Sequence, residues 1–116
     1  MANQVIHSLI STLNSALNPQ DYTTNGLIAT KCTFDRGGYC KIGKIVIVNI
    51  RITINEIGPS ISGFPRPIYL SGFSGYDGTN ERAAFGYLNT NGLLSIPSAY
   101  GNTGAVSVSF VYITSD

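Results

Sequence analysis

The sequence predicts an all-β, antiparallel β-sandwich of jelly-roll character preceded by one short N-terminal helix. Three observations lead there. After Pro19 the apolar residues change from a helical rhythm to strict alternation. The alternating runs are separated by Gly, Asn and Pro clusters about every ten residues, as in sandwiches and jelly rolls. Finally, 43% of the 116 residues are hydrophobic and only 11% are charged, against roughly 25% in an average domain. Ser, Thr and Asn together supply 32 residues and Gly another 13, so uncharged polarity replaces the missing charge. A chain of this length buries roughly two thirds of its unfolded surface and makes one domain.

The helix covers residues 1 to 19, where Ile6, Ile10, Leu13 and Leu17 recur at spacings of four, three and four, the seam of a coiled coil. Val5 and Leu9 widen the stripe, and Asn18-Pro19 ends it. Two heptads do not sustain a helix alone in water, so this segment needs a partner, either its own sheet or further copies of itself.

Residues 20 to 116 form the β domain. A first strand spans 27 to 34, entered through Asn25-Gly26, and Asp35-Arg36-Gly37-Gly38 is expected to reverse the chain. A second strand ends at Ile42, and Gly43-Lys44 makes a tight turn into the longest strand, 45 to 55. There Val46, Val48, Ile50, Ile52 and Ile54 share one face, while the other begins apolar (Ile45, Ile47) and turns polar (Asn49, Arg51, Thr53). That pattern predicts a strand buried on both sides at its start and wetted at its end. Residues 57 to 67 read as a loop, 68 to 74 and 82 to 89 as strands around a turn at 75 to 80, and Asn91-Gly92 as a hairpin turn into 93 to 96. The last strand, 105 to 114, aligns Val106, Val108, Phe110 and Tyr112.

Several functions lack their chemistry. With seven basic and six acidic residues and no run of like charge, there is no phosphate-binding footprint, so no nucleic-acid partner is expected. The longest apolar run, Ile45 to Val48, is far short of the ~20 residues of a membrane helix. Residues 1 to 18 hold no Lys or Arg, so no secretion signal is expected, and the cytoplasm is the expected place of synthesis. The single His7 lies outside the β domain, which leaves no triad, no zinc cluster and no expected metal or cofactor. Asp77 and Glu81 are the only acids near enough to act as a glycosidase pair, and two turn carboxylates are the plainer reading. Gly38 to Lys44 matches the spacing of a phosphate loop, but Ile45 replaces its Ser or Thr and a strand follows where a helix is required. Cys32 and Cys40 flank the expected 35 to 38 turn, which permits a bridge; without a secretion signal two thiols are expected.

The strand Cys40-Lys41-Ile42-Gly43-Lys44-Ile45-Val46-Ile47-Val48-Asn49, the loop Gly63-Phe64-Pro65-Arg66-Pro67 and the hairpin Leu88 to Ile96 resemble, in that order, the tip domains of bacteriophage tail fibres and baseplate receptor-binding proteins. The loop departs from the family pattern, since Pro65 intervenes between Phe64 and Arg66. The resemblance implies a non-enzymatic homotrimer of phage or prophage origin. Its tips would hang from a helical neck in the virion tail and recognise a bacterial cell-surface saccharide. Ile6, Ile10, Leu13 and Leu17 would then line the threefold axis, and other tail or baseplate proteins would be partners. The alternative is a structural virion or fibre-capping protein with no host ligand.

No binding residue carries over from the family, so the ligand site is read from loop chemistry. Tyr76, Asp77, Asn80 and Arg82 on one loop, with Tyr100 and Asn102 from the 97 to 104 loop, offer an aromatic face, amides and charge. Arg66, between two prolines, is expected to anchor a loop or a subunit boundary, and Arg51 to be solvated or to cap loop carbonyls.

Overall fold

The computed structural model describes Ile6, residues 22–97 and residues 104–116. Eight strands follow in order: β1 Ile28–Thr30, β2 Cys32–Ile42, β3 Ile45–Ile54, β4 Ser60–Ser62, β5 Ser71–Asp77, β6 Arg82–Leu88, β7 Leu94–Ser95 and β8 Gly104–Ile113. All pair antiparallel in one sheet of order β1-β4-β7-β6-β5-β8-β3-β2. The two ends of that order, β1 and β2, are consecutive in the chain with only Lys31 between them, so the sheet comes close to closing into a barrel. Lys31 makes the corner at φ 65°, and its carbonyl accepts from the amides of Asn55 (2.9 Å) and Glu56 (3.2 Å). The helix expected over 1 to 19 lies outside the described residues, and with it Ile10, Leu13 and Leu17; Ile6 is exposed.

The alternating residues build the core as the sequence predicts. Val46, Val48, Ile50, Ile52 and Ile54 of β3 are buried, and Val106, Val108 and Tyr112 of β8 face the same interior. At about 1.5–3 kcal/mol for each buried Val or Ile, β3 alone contributes on the order of 10 kcal/mol before chain entropy is counted. Ile61, Phe64, Leu88, Leu94 and Ile96 fill the side formed by the short strands. The Tyr112 hydroxyl donates to the Pro65 carbonyl (2.7 Å), and burial raises its pKa.

The Asp35-Arg36-Gly37-Gly38 turn is corrected: β2 runs straight through it. The register shifts between Phe34, opposite Ile52, and Arg36, opposite Arg51, so Asp35 is the extra residue of a β-bulge. The glycines serve close approach and not reversal. A Cβ on Gly37 (φ 81°) would meet the Asn49 carbonyl oxygen at 2.1 Å, and one on Gly38 would meet that of Thr23 at 2.1 Å. Thr23 pairs with Tyr39 along the free edge of β2 through amide–carbonyl bonds of 3.0 and 2.9 Å. The turn at Gly43-Lys44 is where it was predicted, with Ile42 opposite Ile45 and Gly43 at φ 59°, as a two-residue hairpin requires. Gly37→Ala is expected to cost roughly 1–3 kcal/mol. Gly43→Ala, with open space around it, should cost less. Chemical denaturation that gave equal losses would remove close approach as the reason for Gly37.

The bulge also settles the cysteines. Cys32, opposite Ile54, points inward, and Cys40, opposite Ile47, points outward on the same strand. Eight residues of extended chain separate them by roughly 25 Å, so no bridge forms. Both are free thiols, and burial pushes the Cys32 thiol pKa up while its Sγ donates to the Ser60 carbonyl at 3.7 Å.

Other boundaries move. The expected 57 to 67 loop contains β4, and the expected strand at 68 begins three residues later, at Ser71, because Ile68 to Leu70 swing outward with Tyr69 80% exposed. Arg66 is the anchor of that loop. Its Nε and Nη2 donate to Asp116 Oδ1 (3.0 and 2.7 Å), its amide donates to Asp116 Oδ2 (2.7 Å), and its carbonyl accepts from Thr114 Oγ1 (2.7 Å). The hydrogen bonds from Arg66 hold the Asp116 carboxyl below the usual carboxylate range.

Candidate functional site

The outward face of the long strands divides along their length. At one end Ile45 of β3 pairs with Ile113 of β8, and Ile47 with Val111, all with side chains on the outer face. Ile68 and Tyr69 close against Val111 and Ile113 around a hollow of about 270 Å³. Val111 and Ile113 are 62% and 57% exposed, so the two-sided burial predicted for the start of β3 is not supplied by this chain's described residues. Exposed apolar side chains are thus grouped at this end of the sheet face.

Toward the other end the same face is polar. Arg36 of β2, Arg51 of β3, Ser107 of β8 and Tyr76 of β5 stand directly opposite one another in turn, one outward row across four neighbouring strands. One row nearer the apolar end, Asn49 accepts from the Ser109 hydroxyl at 3.1 Å. A groove of about 300 Å³ opens over these rows, lined by Tyr22, Arg36, Gly37, Asn49, Arg51 and Ser107. Burial, and then the neighbouring Cys40, raises the pKa of the Tyr22 phenol. Arg51 is exposed as predicted, and its Nε lies 3.9 Å from Asp35 Oδ2, an ion pair worth little at the surface. Asp35 is held instead by Thr53, whose hydroxyl donates to Oδ2 at 2.7 Å.

The structure separates the predicted loop residues into two roles. Tyr76 is 53% exposed, but it belongs to strand β5 and not to the turn, which begins after Asp77. Asp77 is corrected as a ligand contact. It is 1% exposed, and its Oδ1 accepts from the amides of Thr79 and Asn80 (both 3.1 Å) and its Oδ2 from Asn80 Nδ2 (2.8 Å). Burial alone would raise its pKa; the bonds from Asn80 and Thr79 and the charge of Arg82 outweigh that and hold it below the usual range. With its oxygens taken up by the turn's own donors and only 1% of the residue exposed, Asp77 presents no carboxylate to a ligand. Asn80 therefore lends its amide to the turn, while Arg82 is exposed. Tyr100 and Asn102 lie outside the described residues. Their loop rejoins the sheet at Gly104, where a Cβ would lie 3.2 Å from Asp77 Oδ1 and 3.5 Å from Thr79. Thr79 Oγ1 accepts from the Ala105 amide (3.0 Å) there, and Gly78 donates to the Ala105 carbonyl (2.9 Å).

Sequence reasoning missed Tyr22, Arg36, Asn49 and Ser107. The signal within reach was the polar half of β3, since Asn49 and Arg51 share a parity that requires outward neighbours on both adjoining strands. Among the described residues no three His, Cys, Asp or Glu side chains are grouped to hold a metal ion. The arrangement offers hydrogen bonds, an aromatic face and positive charge on a rigid sheet, the equipment of a binding surface. The chain matches no family model, no curated protein and no solved structure, so the reading of its function rests on these residues.

Proposed function

We propose that the chain is a phage-type tail-tip receptor-binding domain, a homotrimer that recognises a bacterial cell-surface saccharide without altering it. The observation that carries this reading is the division of one sheet face into an exposed apolar end and a polar, groove-bearing end. The apolar end is the subunit contact, and its occupant is a second copy of the chain. The heptad pattern of Ile6, Ile10, Leu13 and Leu17 also asks for a partner, which further copies of the chain would supply. The polar end takes the ligand, because sugar hydroxyls need amides and hydroxyls, and sugar faces need an aromatic ring. On this reading the long-strand and short-strand halves of the sheet are the two layers of a jelly-roll-like sandwich. The protein assembles in the host cytoplasm, joins other tail or baseplate proteins, and works in the virion tail in host adhesion.

Labelled protein applied to a broad panel of intact bacteria tests the proposal. Saturable binding to particular strains, abolished when their surface sugars are oxidised with periodate, is expected. Binding that survives periodate and is lost on protease treatment contradicts the saccharide. No binding to any strain favours a fibre-capping protein.

A further inference from the structure

We propose that the ligand is an anionic saccharide whose oxyanion is gripped between Arg36 and Arg51 while a neighbouring sugar stacks on Tyr76. This rests on the saccharide-binding reading above and names its substrate class and the residues that select it.

Arg36 and Arg51 are directly opposed on adjacent antiparallel strands. Like charges in that relation repel and destabilise the pair. The chain carries only seven basic residues in all and places two of them face to face. Asp35 relieves little of this, because it stands 3.9 Å from Arg51 and is already bonded to Thr53. Arg36 has no hydrogen-bond or ion-pair partner among the described residues. The bulge makes the arrangement: in a regular strand Asp35 would stand opposite Arg51, and Arg36 would stand opposite the inward-facing Ile50 and point into the barrel. Gly37, next along the strand, lines the same groove with Arg36 and Arg51.

A carboxylate or phosphate ester entering this groove neutralises the repulsion and accepts forked hydrogen bonds from two planar donors, which Lys would not provide. Asn49, Ser107 and Tyr22 offer further polar atoms for hydroxyls around it. Tyr76 stands two strands from Arg51, roughly 10 Å at the usual strand spacing, and three strands from Arg36, roughly 14 Å. Those spans suit a di- or trisaccharide lying across the strands, charged at one end and stacked at the other.

Isothermal titration of the full chain tests this with hexagalacturonate, its neutral methyl ester and a glycerol-phosphate oligomer. Hexagalacturonate is expected to bind at least tenfold more tightly than the methyl ester, whereas tighter binding of the glycerol-phosphate oligomer, which has no sugar ring to stack on Tyr76, would contradict the saccharide. Arg36→Ala and Arg51→Ala should each weaken anionic binding about tenfold or more, Arg36→Lys should recover only part of it, and Tyr76→Ala should weaken the acid and the ester alike. All three side chains are exposed, and an unchanged melting temperature verifies that each variant is folded. Equal affinity for acid and ester, or unchanged binding by the double arginine variant, overturns the anion grip and leaves saccharide binding standing. No binding of any saccharide, charged or neutral, overturns both.

Discussion

Replacing Val111 or Ile113 by Glu is expected to convert the assembled protein to monomers while leaving each chain folded. Both side chains point outward from β8 and are more than half exposed, so a carboxylate there costs the single chain little. In the proposed contact the same carboxylate would be buried against Ile45, Ile47 or their copies. Stranding one unpaired charge costs about 3–5 kcal/mol, at least two orders of magnitude in the dissociation constant. Sedimentation should show the parent at about three times the 12.4 kDa chain mass and the variants near one. An unchanged mass for Val111→Glu and Ile113→Glu together would remove this face from the subunit contact. Ser107→Glu, on the polar half of the same strand, should leave the mass unchanged.

Asp77→Asn is expected to be the most damaging single change in the turn. It preserves volume but loses the charge, and turns an NH2 group toward donors that now have no acceptor. With three hydrogen bonds to an ionised group affected, the loss is roughly 2–3 kcal/mol, or a fall in melting temperature on the order of 10 °C. The pH dependence has a definite sign. The folded pKa lies below the unfolded one, so the stabilisation is complete above the unfolded pKa and is lost as pH falls through the folded pKa. The parent should therefore lose stability on acidification below about pH 4, near the unfolded carboxylate value, and the Asn variant should lose less. Asp116, lowered by its bonds to Arg66, adds a contribution of the same sign. Thermal unfolding from pH 7 to pH 2 measures both. Identical curves for parent and variant would mean that the buried carboxylate does not hold the turn.

The long strands were legible because β3 and β8 carry their burial pattern in plain alternation, and two-residue turns such as Gly43-Lys44 have few other conformations. Asp35 to Gly38 misled because glycine signals a positive φ or a close approach without saying which, and only the Asn49 and Thr23 carbonyls decide the matter. The short strands β4 and β7 were blurred because two or three residues carry no period. At the site, Tyr76 was found by residue type and placed on the wrong element. Its true neighbours depend on three registers, β5 with β8, β8 with β3 and β3 with β2, each joining residues far apart in the chain or shifted by a bulge. Asp77 looked like an exposed turn residue; Thr79 and Asn80 fold back on it within the turn, and the β5–β8 pairing brings Gly104 beside it. Ile45 and Ile47 declared a second apolar face, and the described residues leave Ile45, Val111 and Ile113 on it exposed.

Hydroxyl-radical footprinting of the protein, dilute and at assembling concentration, tests the divided face most directly. On assembly Tyr69, Val111 and Ile113 are expected to lose reactivity, while Tyr76 and Phe85, exposed on β5 and β6, keep theirs. Protection of Tyr76 and Phe85 with Val111 and Ile113 still reactive would place the subunit contact on the polar end and contradict the account.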